Sequence, residues 1–325
     1  MAKQRIDSLD IAKGIGILLI VFAHGASPVM QGHHTITWFY NIISSLILSV
    51  FSFTAGYVAT KLVTKPSDKL TLIKQRATRL LIPYFIWAII YAPMKIIMSD
   101  HVRNKYEYKW YTLFLGNSPN GQLWYLYLLF IVSVFAILFV NKKNLPVFTI
   151  IFLIVSIAAP GIPDSLSFTS IALNFSLYQF GFFFSGIFVS LNKDFKKLFS
   201  NTYLFLISSA VFITYCVVLW IKGHRVWYLE GISGLAFLYI SMYISILIEK
   251  SKLRKPLSYT GKISINIYIL HGPLLVIGRI FLPKLISNTY LYILTLGVIT
   301  ILLSLLITAV INKIKPARFL LFGSK

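Results

Sequence analysis

The chain has 325 residues, of which 57% are hydrophobic and only 12% charged, and its mean hydropathy is +0.78. Too little polar surface is left for a soluble core of this size, so the expected fold class is all-α, a polytopic integral membrane protein in one domain spanning residues 1–325. The net charge of +22 does not make nucleic acid a partner, because the basic residues fall in short loops between apolar runs rather than on one soluble face.

The first stretch, Arg5 to His24, is unusual for a membrane anchor. A polar end carrying Arg5, Asp7, Asp10 and Lys13 leads into an apolar run that ends on one histidine. On an α-helix Lys13 and His24 lie about 16 Å apart along the axis and only about 20° apart around it. Asp10 falls within about 40° of the same face. Ionisable groups at such depth are costly and usually face a bundle interior or a wet cavity. A lone histidine in a helix is often a satisfied core group. This one shares its face with a charged pair, and imidazole exchanges protons near neutral pH, which suits a general base or acid. The apolar run has no small-residue cleavage site and reads as a retained first span.

Ten spans of roughly 20 residues are expected, near 11–30, 36–60, 79–98, 122–140, 146–161, 169–191, 202–221, 228–249, 265–282 and 287–312. The fifth is short and ends at Pro160-Gly161. With both termini inside, 23 of the 31 basic residues fall on the inner side, as the positive-inside rule requires.

At the inner mouth of the third span, Arg76 and Arg79 share a helix face. One arginine there is ordinary interfacial anchoring. Two forked guanidiniums near Lys74 and Lys13 suit a polyanionic donor. The outer loop from Ser99 to Gly121 mixes Asp100, His101, Arg103, Lys105, Glu107 and Lys109 with Trp110 and Tyr111, as a solvated loop or as a lid over an acceptor. Trp124 and Tyr125 open the fourth span where aromatic belts sit, yet aromatic rings also suit sugars. Cys216, the one cysteine, reads as apolar packing and excludes an internal disulfide framework. Glu230 opens the eighth span as a dipole-compatible acid or an acceptor contact. His271 lies in the ninth span with Asn266 and Tyr268, where helix–helix hydrogen bonding is the plain alternative. His33 and His34 read as solvated, and no residues are spaced for a metal site.

In this order the motifs resemble the membrane-bound acyltransferase-3 family, and the opening Arg-Ile-Asp-Ser-Leu-Asp-Ile-Ala-Lys-Gly-Ile-Gly-Ile-Leu is similar to its fucose-4-O-acetylase-like branch. Lys13 and His24 match the family's basic residue and histidine in the first span. Arg76 and Arg79 match its paired arginines before Leu-Leu-Ile-Pro-Tyr. Phe51-Ser-Phe-Thr-Ala-Gly-Tyr resembles its second span, although Thr54-Ala55 replaces the commoner Ile-Ser. Leu123-Trp124-Tyr125-Leu126 and the late Ile269-Leu270-His271-Gly272-Pro273 also match.

The resemblance implies acetyl transfer from cytoplasmic acetyl-CoA, as donor substrate rather than bound cofactor, to a hydroxyl of an extracytoplasmic glycan. Arg76, Arg79 and Lys13 would hold the donor phosphates, His24 would act as general base, and Asp10 would orient Lys13. Trp124, Tyr125, Glu230 and His271 are the acceptor-side candidates, with Tyr125 or backbone amides as oxyanion donors. Relatives often carry a fused extracytoplasmic domain, so a separate transferase is a conceivable partner beside the bilayer and the glycan. Two rivals stand beside this reading. One is a glycan exporter without chemistry. The other is a lipid-sugar glycosyltransferase, disfavoured because Ser27 to Thr35 holds no acid.

Overall fold

A chain surrounded by lipid must satisfy its own backbone polar groups, and helices do so within one segment. The computed structural model describes residues 6–64, 68–97, 110–116, 118, 121–163 and 173–324, and among these no strand occurs. The elements run α1 (Asp7–Ala26), α2 (His34–Tyr57), α3 (Lys61–Thr64), α4 (Lys69–Ile97), α5 (Trp124–Phe139), α6 (Leu145–Ala158), α7 (Leu173–Asn192), α8 (Phe195–Phe199), α9 (Thr202–Lys222), α10 (Trp227–Ile248), α11 (Arg254–Lys262), α12 (Ser264–Phe281), α13 (Thr289–Ile311) and α14 (Lys315–Phe322).

Eight helices among the described residues are long and apolar enough to cross a membrane: α1, α2, α4, α5, α9, α10, α12 and α13. Where ten spans were expected, α6 and its closing turn make a shorter apolar segment, Leu145–Gly161. Pro160 sits in the turn that ends it. The helix that matches the sixth expected span, α7, packs against α2 and α6. Asp100, His101, Arg103, Lys105, Glu107 and Lys109 of the long loop lie outside the described residues.

Burial shows which helix is central. In α1, 67% of the spanning window is buried, against 11% in α9 and 28% in α13. α1 packs against α2, α10, α11, α12 and α13, whereas α9 and α13 turn most of their leucines and isoleucines outward. Lipid tails are as apolar as leucine, so packing and hydrogen bonds, not water exclusion, hold such helices together. Phe135 of α5, Phe148 and Phe152 of α6, and Phe180 and Phe184 of α7 form a ring cluster with centroids 5.1–6.4 Å apart. Aromatic pairs of this kind, edge-to-face, tilted or stacked, contribute roughly 0.5–1.5 kcal/mol each. Buried hydroxyls add direction: Ser52 of α2 donates to Gln179 of α7 at 2.8 Å and pairs with Tyr125 of α5 at 3.1 Å. Ser45 of α2 pairs with Tyr215 of α9 at 3.1 Å.

Two prolines decide how α4 is held to its neighbours. Pro273 inside α12 has no N–H, so the Ile269 carbonyl loses its helical donor. The Tyr91 hydroxyl of α4 fills that place, which ties the arginine-bearing helix to the helix of His271. Pro83 in α4 frees the Arg79 carbonyl in the same way. Gly323, with φ 62°, ends α14 against that carbonyl, where a β-carbon would collide. The Trp87 indole donates to the Leu321 carbonyl at 2.7 Å, fixing α14 there.

Candidate active site

The start of α1 is capped from elsewhere in the chain. Its N-cap residue, Ile6, offers no side-chain bond, and the first N–H groups of a helix need acceptors. Glu249, just past α10, accepts from the Ser8 N–H at 2.9 Å and from Lys196 at 2.7 Å. Arg254 of α11 donates to Asp7 at 2.7 Å. Further along, α1 and α11 meet at Gly14 and Gly261. A β-carbon on either would run into the other helix's backbone, at the carbonyls of Leu257 and Asp10 respectively. Lys262, next to Gly261, thereby lines the same cavity as Lys13. The Lys13 ammonium lies 2.8 Å from Asp10, whose side chain is buried.

Lys13 and Lys262 line a cavity of about 160 Å³ together with Arg76 and Arg79 of α4. Arg76 is half-buried and Arg79 exposed. Among the described residues no acid pairs with Arg76, Arg79 or Lys262. Four cations with one carboxylate at their edge form a strongly anion-attracting mouth. Beyond it the lining turns apolar and hydroxylic, with Phe51, Leu126, Ser133, Tyr125 and Tyr268.

A second cavity, of about 360 Å³, lies further along α1. His24, Tyr40, Ser44, Gln122, Trp124 and Arg225 line it. Ile20, Leu48 and Tyr268 belong to the walls of both cavities. The two voids therefore stand end to end along one face of α1, with Lys13 in the first and His24 in the second.

His24 is held at its backbone. Its carbonyl accepts from Ser27 at 3.0 Å and from the Arg279 guanidinium of α12 at 2.7 Å. A cation there also complements the negative end of α1. The imidazole ring lies 6.3 Å from the Tyr40 ring and 5.4 Å from that of His271, between centroids. His271 is fully buried. Its Nδ1 lies 2.6 Å from the Tyr268 carbonyl and 3.2 Å from that of Ile267. Carbonyl oxygens only accept, so Nδ1 carries the proton and Nε2 presents a lone pair. That Nε2 has no hydrogen-bond partner among the described residues.

The acceptor-side candidates separate. Trp124 lines the histidine cavity, but its neighbour Tyr125 turns into the basic cavity, with its hydroxyl against Ser52. Glu230 lines neither; it is buried, 3.8 Å from Arg225. His271 packs against His24 rather than lining either void. His34, expected to be solvated, is exposed yet sets its ring edge-on to Trp220 at 4.3 Å. Lys262, Arg225 and Arg279 do not stand out in the sequence. Each joins the site through a long-range contact, and local pattern carries no signal for that. Among the described residues no cluster of metal-ligating side chains occurs.

No curated protein and no solved structure is similar enough to match the chain. A family model described as an acyltransferase domain matches residues 6–309, a span that holds every residue of both cavities. The chain is a multi-pass membrane protein and belongs to the acyltransferase-3 family.

Proposed function

We propose that this protein is a membrane O-acetyltransferase that moves an acetyl group from cytoplasmic acetyl-CoA to a hydroxyl of an extracytoplasmic glycan. The observation that carries the reading is the pair of cavities along α1, one basic and one holding His24, with Ile20, Leu48 and Tyr268 in the walls of both. Lys13, Arg76, Arg79 and Lys262 hold the donor phosphates, where forked guanidiniums fit phosphate oxygens in pairs. The excess of basic residues in the loops on that side supports its assignment to the cytoplasm. The pantetheine arm passes along the apolar wall toward Tyr268, and the acceptor enters the histidine cavity.

His24 takes the proton from the acceptor hydroxyl as its oxygen attacks the thioester carbonyl carbon. The carbon–sulfur bond then breaks, and the CoA thiolate recovers the proton from the imidazolium. CoA thiol and an O-acetyl ester are the products. His271, its ring 5.4 Å from that of His24, packs beside the reacting imidazole and limits how it can turn. Asp10 fixes the Lys13 ammonium. Acetyl as the transferred group is supported by the likeness of the opening stretch to the fucose-4-O-acetylase-like branch.

Comparison of surface glycans from wild-type and deletion cells tests the reading. Loss of O-acetyl esters with unchanged polymer quantity is the expected result. Loss of polymer with unchanged acetyl content per sugar would instead establish an exporter.

A further inference from the structure

On the basis of that acyl-transfer reading, we infer that the acceptor is anionic and that Arg225 recognises its carboxylate or phosphate group. Arg225 lies in the turn between α9 and α10, after Gly223 ends α9 in the left-handed conformation. Its Nη2 donates to Ser44 of α2 at 2.8 Å, and its Nη1 lies 3.8 Å from Glu230. The side chain keeps 29% of its surface exposed, and it lines the histidine cavity beside Ser44.

The lining as a whole gives the class of ligand. Among the described residues around this cavity, Arg225 carries the one permanent charge, and no carboxylate is present. Sugar hydroxyls both donate and accept and take single neutral bonds, whereas a carboxylate or phosphate takes paired charge-assisted bonds from a guanidinium. Here the wall provides a guanidinium, the Ser44 hydroxyl, the Gln122 amide and the rings of Tyr40 and Trp124. Rings can pack on a sugar face, while the planar fork of arginine fits carboxylate or phosphate oxygens.

Glu230 does not reverse this. It is buried outside the lining, and 3.8 Å is longer than a charge-assisted hydrogen bond. Arg279, against the His24 carbonyl, adds a second positive charge on the same side of the site. The negative group of the acceptor would sit against Arg225 while the reacting hydroxyl reaches His24. Arg225 is therefore a specificity residue for acceptor binding.

The test is structural analysis, by mass spectrometry and NMR, of the polymer that loses acetyl esters on deletion, with Arg225→Gln and Arg225→Lys cells grown in parallel. The expected acetylated unit carries a uronate-type carboxylate or a phosphodiester, and the spectra separate these two sources. Arg225→Gln should lower ester content about ten- to hundredfold, as lost charge-assisted bonds do. Arg225→Lys keeps the charge and should retain a larger share, which separates lost recognition from lost folding. A neutral acetylated polymer overturns the inference, as does wild-type ester content in Arg225→Gln. Deletion without loss of any ester is a different outcome, and it removes the acyl-transfer reading itself.

Discussion

The imidazole rings of His24 and His271 lie 5.4 Å apart, and the protonated Nδ1 of His271 is committed to the backbone of its own helix. The second histidine therefore has one tautomer, with its lone pair left in the core. His271→Phe keeps a ring in the site and removes the lone pair. Acetyl transfer should fall by about tenfold or more in kcat with donor KM little changed, a fraction of the roughly 10²–10⁴ that a general base supplies. Unaltered kcat would make His271 a packing residue.

The proposed donor site predicts a difference between arginine and lysine. Arg76→Lys keeps the charge in the basic cavity and loses the fork. Donor KM should rise roughly tenfold in Arg76→Lys and further in Arg76→Ala, in keeping with about 1.5–3 kcal/mol for a hydrogen bond to a charged group. Initial-rate kinetics with acetyl-CoA, and inhibition by CoA and by dephospho-CoA, measure this. An unchanged KM in Arg76→Ala would place the phosphates elsewhere.

Much of this arrangement is legible in the sequence where one uninterrupted helix carries it. Lys13 and His24 share a face because about 3.6 residues per turn returns them to it, and Arg76 and Arg79 are neighbours for the same reason. The helical membrane architecture follows from apolar runs alone. The place of Tyr125 is not legible in that way. It adjoins Trp124 in sequence, but the helix turns about 100° per residue and sends the two rings into different cavities. Arg279 reaches His24 across 255 residues, and Lys262 arrives through the Gly14–Gly261 contact. Such juxtapositions depend on how helices pack. Two of the ten expected spans, those at α6 and α7, are not among the eight long apolar helices of the described residues, and α6 is a shorter apolar segment.

The bond from Tyr91 to the Ile269 carbonyl exists to serve a proline. Tyr91→Phe leaves that buried carbonyl unsatisfied and should destabilise the protein by about 1–3 kcal/mol. In a Pro273→Ala background residue 273 supplies its own N–H, and the same substitution should cost less. Thermal unfolding of the double-mutant cycle in a fixed lipid environment checks this. Equal costs in both backgrounds would show that the tyrosine acts independently of Pro273.

The cap on α1 gives a pH dependence. Burial alone would raise the Glu249 carboxyl, but hydrogen bonds from Lys196 and Ser8, with the lysine's charge, hold it below its usual value. A depressed carboxylate contributes stability that is present above its unfolded pKa and lost as pH falls through the folded one. Glu249→Gln should thus be less stable than wild type by roughly 1 kcal/mol at neutral pH, the scale of a helix cap. The gap should close at acid pH, as the wild-type carboxylate also protonates through its depressed value. Melting curves of both proteins from about pH 7 down to about pH 3 span that range, and a gap that persists at the acid end would contradict the capping role.

The most direct measurement is the O-acetyl content of surface glycan from cells producing His24→Ala at the wild-type protein level. Acetylation at the background of the deletion strain is the predicted result, with the basic cavity still binding CoA. Wild-type acetylation in those cells would contradict proton transfer by His24.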